Sequence, residues 1–340
     1  MKKYCVISTG GTIASSKSSM GLTPDLGGLD LIARVPALHA FRDEIEVVDL
    51  MSKDSSNMNP MDWVAIARCV KQKERDFLSF VILHGTDTMA YSASALSFLL
   101  CDCKRPVILT GSMLPMNEPG SDGPENIFDS FLFASSLIER EQPGVSIAFS
   151  GKLIHGPRSE KLISKERTAF DTINYPLIGR IREGLPEIEH RPFLTRKPVL
   201  NFEKYKPEKN IILIKIYPGF QASFLEHLID LSPRAILIES LGLGGVPFIG
   251  ENLLPPLALA RERNIPVILT TQCVYGGVDL SVYEVGRRTL ELGVISGQDM
   301  TKETLIAKLM IMLPSTRAGE VKCMLETNFC DEVNPPEEEK

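Results

Sequence analysis

At 340 residues, with 44% hydrophobic and 24% charged residues, the chain has the make-up of a globular protein long enough for two ordinary domains. A net charge of −6 with no basic stripe argues against a nucleic-acid partner. Seven scattered cysteines read as reduced thiols rather than a disulfide framework, and no run reaches the ~18 apolar residues of a membrane-spanning helix.

The first predicted element is a strand over Tyr4–Ile7, which runs at once into a glycine turn. Its apolar stretch is too short for a secretory signal, so a cytoplasmic protein is expected. Short apolar runs ending in turn residues recur at Phe80–Leu83, Val107–Leu109 and Val145–Phe149, a pattern that suits buried parallel strands. Between them Asp62–Lys73, Ala90–Leu100 and Ile127–Ile138 read as helices. Strands alternating with helices predict an α/β fold, an N-terminal doubly wound, mostly parallel sheet flanked by helices. A proline- and charge-rich stretch then breaks the pattern, and the alternation resumes with Ile211–Ile216, Ala235–Ile238 and Val267–Thr270. The expected boundaries are a catalytic domain over 1–184, a linker over 185–209, a smaller C-terminal α/β domain over 210–330 and an acidic tail over 331–340.

In an open parallel sheet, ligands sit beyond the carboxyl ends of the strands, so the residues just after each strand carry the functional information. After the first strand comes Thr9-Gly10-Gly11-Thr12-Ile13-Ala14, where two glycines permit a tight turn and leave the Thr12 hydroxyl at the mouth of the sheet. For a bare Gly-Gly pair an ordinary glycine turn with a polar residue is the favoured reading, and a phosphate loop is excluded because neither GxxxxGK[ST] nor GxGxxG follows. After Phe80–Leu83 comes His84-Gly85-Thr86-Asp87-Thr88-Met89. Helix capping accounts for one Thr or Asp there, whereas a threonine beside a carboxylate at a strand end also suits the positioning of a nucleophile or water. Lys152 and Lys161 are candidate cations for Asp87, although most lysines are simply solvated. Asp54-Ser55-Ser56 offers hydroxyls and N–H groups for a substrate carboxylate, or an N-cap for the next helix. The five histidines and the Cys101/Cys103 pair have no ligand spacing, so no metal site and no cofactor are expected.

Together the segments around Thr12 and Thr86 resemble the two signatures of the bacterial-type L-asparaginases, closest to the cytoplasmic type I branch. The likeness extends through Asp54-Ser55-Ser56, Thr110-Gly111-Ser112, Ser121–Asn126 and Arg158-Ser159-Glu160-Lys161 to Ile216–Gly219 and Leu241–Gly245, and so covers nearly the whole chain. The resemblance implies hydrolysis of the side-chain amide of L-asparagine to L-aspartate and ammonia. Thr12 takes the place of the nucleophile that forms an acyl-enzyme. Thr86, Asp87 and Lys161 match a hydrogen-bonded set that assists proton transfer. Gly11, Asp54, Ser55, Ser56, Gly85 and Ser112 fall at substrate-binding positions. It also implies a homodimer or homotetramer acting on a small-molecule substrate, L-asparagine with L-glutamine as the second candidate, and no nucleic-acid or membrane partner.

Two positions depart from the family pattern. The place of the flexible-loop tyrosine that pairs with the first threonine is held by Leu22, which can neither give nor take a proton. Water, Thr23, Ser18, Ser19 or the Lys161 set are the candidate substitutes. General-base help is worth ~10²–10⁴-fold, so its loss predicts a slow enzyme rather than an inert one. The second departure is Glu239, where relatives with an asparagine effector pocket carry arginine. A catalytically weak asparagine- or aspartate-binding homologue and an ammonia-releasing component of an amidotransferase are the alternative readings. A serine hydrolase of the α/β-hydrolase type is disfavoured because no G-x-S-x-G elbow occurs.

Overall fold

The computed structural model describes residues 2–18, 21–24, 26–192 and 205–335. They form two compact units, one of residues up to Tyr205 together with Phe329–Asp331, the other of Lys206–Asn328 and the residues from Glu332 onward.

In the first unit β1 (Lys2–Gly10) is followed by a hairpin of β2 (Ser15–Ser18) and β3 (Gly21–Pro24), a short helix α1 (Gly28–Ala33), and β4 (Ile45–Lys53). Helix α2 (Pro60–Lys73) leads to β5 (Phe77–Leu83), α3 (Met89–Leu99) to β6 (Pro106–Thr110), and α4 (Gly123–Glu139) to β7 (Gly144–Phe149). The chain ends this unit with short strands β8 (Lys152–His155), β9 (Ser159–Lys161), β10 (Phe170–Thr172), β11 (Gly179–Arg182) and β12 (Leu185–Ile188).

Eight strands form one sheet in the order β12-β11-β8-β7-β6-β5-β1-β4. From β4 to β7 the pairings are parallel, and from β7 to β12 they are antiparallel. Residues 77–83 of β5 are buried almost without break, as expected of a strand covered on both faces. Tyr4, Val6, Val81, Ile108, Phe131 and Phe133 belong to the core cluster on one face. The helices start where local chemistry demands it. Asn59 and Asp62 make a capping box around the start of α2, with Pro60 at its first position, where the missing N–H is harmless.

The chain winds outward from β1 to the edge strand β4 and then returns past β1 to β5. That reversal puts the turns after β1, β4 and β5 side by side, the place where such sheets bind ligands.

The second unit carries β13 (Ile211–Lys215), α5 (Ala222–Asp230), β14 (Ala235–Ser240), α6 (Leu254–Glu262), β15 (Val267–Thr271), α7 (Glu284–Glu291), β16 (Ile295–Ser296), α8 (Lys302–Met312) and α9 (Val321–Glu326). Its sheet is fully parallel in the order β13-β14-β15-β16, around a core that includes Ile216, Leu225, Ile236, Ile238, Leu257 and Leu269.

Two boundaries differ from the sequence expectation. Residues 185–188 are not linker but the edge strand β12, paired with β11. Their proline and charges are those of an edge strand: Pro186 needs no partner for a missing N–H, and Arg182 pairs with Glu187 while Arg180 pairs with Glu189. At the other end the expected solvated tail begins too early. Asp331 belongs to the first unit, and Glu332 is completely buried against Lys308 at 2.7 Å.

Candidate active site

The turn after β1 is built on two glycines with positive φ, 95° at Gly10 and 85° at Gly11. The Gly11 N–H donates to the Lys53 carbonyl at 2.8 Å, which ties this turn to the end of β4. Gly11 also lies against the backbone of Gly85, leaving no room for a side chain at either position; a Cβ on Gly85 would sit 2.6 Å from the Ser55 hydroxyl. The turns after β1, β4 and β5 therefore touch through backbone.

Each turn opens a short 3-10 segment: Thr12–Ala14, Ser55–Asn57 and Thr86–Thr88. The first N–H groups of such a turn have no acceptor within it, so those not taken by a side chain, as Ser56 is by Asp54 and Asp87 by Ser55, are available to a ligand carrying negative charge. Thr12 is half-buried, and its hydroxyl makes no hydrogen bond among the described residues. The nearby Ser15 hydroxyl is committed to the Gly11 carbonyl at 2.9 Å.

Lys161 reaches this region from β9. Its ammonium donates to the Thr86 hydroxyl at 2.9 Å and to Asp87 Oδ1 at 2.7 Å, across 75 and 74 residues of sequence. The Thr86 residue is buried, the Lys161 side chain is 17% exposed and that of Asp87 is 59% exposed, so the charge pair runs from protein interior toward solvent. Such a pair is screened on its open side, so its contribution here is orientation more than stability.

Ser55 is buried beneath the cluster: its hydroxyl accepts from the Asp87 N–H at 3.3 Å, and its carbonyl accepts from the Thr88 hydroxyl at 2.8 Å. Asp54 Oδ1 accepts from the Ser56 N–H at 2.8 Å, while Ser56 itself is exposed. The N-cap role weighed for this segment is present at its 3-10 turn, and the cap of α2 is Asn59 instead. Thr12, Thr86, Asp87, Lys161, Gly11, Gly85, Ser55, Ser56 and Asp54 thus lie on adjoining or hydrogen-bonded turns. Ser112 differs, because its hydroxyl donates to the Leu114 carbonyl of its own loop. Leu22, Thr23 and Ser18 fall where the side chains lie outside the described residues, and Ser19 lies outside them altogether.

The support beneath these turns was not visible in the sequence. His84 is completely buried, and burial lowers its pKa to about 4, so the ring is neutral at physiological pH. Its Nδ1–H donates to the Gly85 carbonyl at 2.7 Å, and its Nε2 accepts from the Ser92 hydroxyl at 2.9 Å. Ser92 in turn accepts from the Trp63 indole N–H at 2.9 Å. Every partner in the chain has one consistent role, which fixes the imidazole tautomer. Asn126 plays a similar part on α4, donating to the Gly111 carbonyl at 2.9 Å and accepting from the Ser150 N–H at 2.9 Å. In the sequence His84 and Asn126 stand in matching motifs, and Trp63 and Ser92 lie in helical stretches, but nothing local marks how they pair. Among the described residues no group of His, Cys, Asp or Glu is placed to hold a metal ion, and no helix is long and apolar enough to cross a membrane.

Comparison with known proteins fits this arrangement. The family model described as Asparaginase, N-terminal, matches residues 3–194, and that of the Glutaminase/Asparaginase C-terminal domain matches residues 210–322. An L-asparaginase of Thermococcus kodakarensis is 40% identical over 333 residues, 97% of this chain and 99% of that protein. The solved structure of the thermostable L-asparaginase from that organism superposes with a TM-score of 0.87 at 38% identity, over 98% of this chain and 99% of the other. A component of the glutamyl-tRNA(Gln) amidotransferase of Methanobrevibacter smithii is 36% identical over 341 residues, 97% of this chain but 76% of its own length. With both halves matched in order and the turns of the site in register with their sequence signatures, the chain belongs to the asparaginase family.

Proposed function

We propose that the protein hydrolyses the side-chain amide of L-asparagine to L-aspartate and ammonia through an acyl-enzyme on Thr12. The observation that carries this reading is the Lys161 ammonium, which holds the Thr86 hydroxyl at 2.9 Å and Asp87 at 2.7 Å beside the Gly11–Gly85 contact. In the proposed reaction the Thr12 hydroxyl attacks the amide carbon, and the oxyanion lies against N–H groups at the start of the Thr12 and Thr86 turns. Removing one such donor lowers rates by ~10²–10³. The amide nitrogen leaves as ammonia after taking up a proton, and water then cleaves the ester, with Thr86 and Lys161 managing the proton. The substrate's ammonium faces Asp87 and its carboxylate the Ser55–Ser56 turn. Gly11, Asp54 and Gly85 complete that turn surface, and Ser112 shapes the wall after β6.

The cytoplasm and a homodimer or homotetramer are the proposed setting. Discrimination between asparagine and glutamine rests on pocket shape, since one methylene is worth only ~1–3 kcal/mol. The sequence likeness to an amidotransferase component supports a second reading, in which the released ammonia serves a partner.

The test is ammonia release from L-asparagine and L-glutamine by the purified protein, with Thr12→Ala alongside. Turnover lost in the variant supports the nucleophile, whereas no turnover by the parent, with aspartate still bound, favours the partner-dependent or binding-only readings. Glu239 holds Lys215 at 3.7 Å, an anion where an effector's carboxylate would need a cation. A hyperbolic dependence of rate on asparagine is expected, and a sigmoidal curve would refute that.

A further inference from the structure

Lys161 stands on a very small support. Its strand β9 has three residues and, among the described residues, pairs as a strand only with the three residues of β10, apart from the large sheet. A two-stranded ladder of this size is marginal by itself, yet the proposed chemistry needs the Lys161 ammonium held to a fraction of an ångström.

Three residues before Lys161 stands Arg158, completely buried. Its carbonyl accepts from the Ile173 N–H at 2.7 Å, which extends the β9–β10 ladder to its base. Its Nε donates to the carbonyl of Asp331 at 2.7 Å, and its guanidinium lies over the Tyr175 ring, 5.2 Å from the centroid. His155, at the end of β8, donates through Nε2 to the Cys330 carbonyl. The Tyr175 hydroxyl gives its single proton to Asp331 Oδ2 at 2.7 Å and therefore accepts from His190 Nε2 at 2.8 Å. Residues 330–331, which follow all the described strands and helices in sequence, are thus gripped by His155, Arg158 and Tyr175 around the base of the hairpin that carries Lys161.

We propose that the segment Cys330–Asp331, held by His155, Arg158 and Tyr175, is a positioning latch that sets the Lys161 ammonium against Thr86 and Asp87. The latch touches no substrate and acts only through β9. It rests on the reading of Lys161 given above. A solvated arginine would need none of this; a completely buried one is fixed by its partners, and so fixes the backbone on either side of it.

Tyr175→Phe removes one oxygen from the latch, and Asp331→Asn removes its charge while keeping its shape. Both are measured in the full-length protein by kcat and KM for ammonia release from L-asparagine, thermal melting, and backbone amide exchange by mass spectrometry. The expected result is a fall in kcat of about tenfold with melting still above the assay temperature, since small misplacements of a catalytic group reach ~10²-fold. KM should stay within about twofold, the pattern for a group that acts on the transition state. Amide exchange should quicken in the peptides spanning residues 158–175 and 329–331 and nowhere else in the first unit. Placed on a Lys161→Met background, the same substitutions should produce no further loss, because the object they position is gone.

Unchanged kcat in both variants would overturn the latch. So would a loss matched by unfolded protein, or one repeated in full on the Lys161→Met background. A Lys161→Met protein that turns over normally would overturn it from below, by removing the role of Lys161, and is recognised without any latch variant.

Discussion

The two units use the same device, a parallel sheet whose carboxyl ends open into turns, but they finish those turns differently. In the second unit the polar side chains past the strand ends are bound to backbone. The Ser240 hydroxyl donates to the Thr270 carbonyl at 2.6 Å, and the Thr271 hydroxyl to the Gly242 carbonyl at 2.6 Å. The Gln272 amide bridges the carbonyls of Ile216 at 2.6 Å and Glu239 at 3.0 Å. In the first unit the backbone is satisfied from beneath by His84 and Asn126, so Thr12, Thr86, Asp87 and Lys161 remain for one another and for a ligand. Position in the topology is therefore not enough to make a site. What matters is whether the side chains there are already committed to carbonyls.

The hardest blow to this contrast should come from Gly85→Ala. The added Cβ meets Ser55 at 2.6 Å and Gly11 Cα at 3.0 Å, so the three turns must separate. A loss of kcat/KM of about 10²-fold or more is expected in protein that still melts cooperatively, because displacement of the reacting groups by ~1 Å has that effect. Near-normal kinetics in this variant would mean that the turns can part without consequence.

Gln272→Leu should give the opposite signature. It takes the side-chain donor from the Ile216 carbonyl, while the Glu239 carbonyl keeps the Ile216 N–H at 3.2 Å, and so lowers stability by about 1–3 kcal/mol in chemical denaturation, with kcat per folded molecule unchanged. A fall in kcat with stability preserved would show that the second unit's turns are as functional as the first's.

The smallest expected effect appears as a pH dependence within the first unit. Asp129 on α4 is buried near Glu125, and desolvation raises its pKa to about 6, against the weaker pull of the Gly151 N–H. The folded state holds this proton more tightly than the unfolded one, so stability falls as pH rises from about 4 to about 6 and stays lowered above. Asp129→Asn should therefore raise stability in chemical denaturation more at pH 8 than at pH 4. The upper bound on that difference is about 3 kcal/mol, which solvent screening reduces. His84 works in the other direction: with its pKa lowered to about 4, stability is full above the unfolded value near 6.5 and falls as pH drops toward 4. Equal shifts for Asp129→Asn at both pH values would rule out a burial-driven proton.

The strands β1, β5, β6 and β7 and the helices between them were readable because each is a local pattern, an apolar run closed by glycine, serine or threonine. The short antiparallel strands from β8 to β12 are not, since each is three or four residues long and the outer members of the large sheet, β11 and β12, have the composition of exposed edges. The same division holds in the site. Thr12, Thr86 and Asp87 stand in contiguous motifs at strand ends, where local reasoning points. Lys161 is 75 residues from Thr86, and no spacing rule selects it over Lys152, which in the fold pairs with Asp171 at 2.8 Å instead. Only resemblance to a family singled it out. Ser112 shows the reverse case: a residue in a matching motif whose hydroxyl turns into its own loop. His84 stands in a contiguous motif, but its neutrality and its hold on Gly85 come from complete burial, which no local pattern reveals.

The membership of Phe329–Asp331 in the first unit has a consequence for the order in which the protein can mature. Domains emerging from the ribosome generally fold as units, N-terminal first. Here the residues up to Tyr205 can collapse on a nascent chain, but the carbonyl partners of His155 and Arg158 have not yet been translated. The bond from Arg158 Nε to the Asp331 carbonyl can form only once Asp331 has been made. A ribosome that stops short of them thus leaves the carbonyls held by His155 and Arg158 missing from the site-bearing unit, and the contacts at the base of the Lys161 hairpin are complete only in chains whose synthesis has passed Asp331.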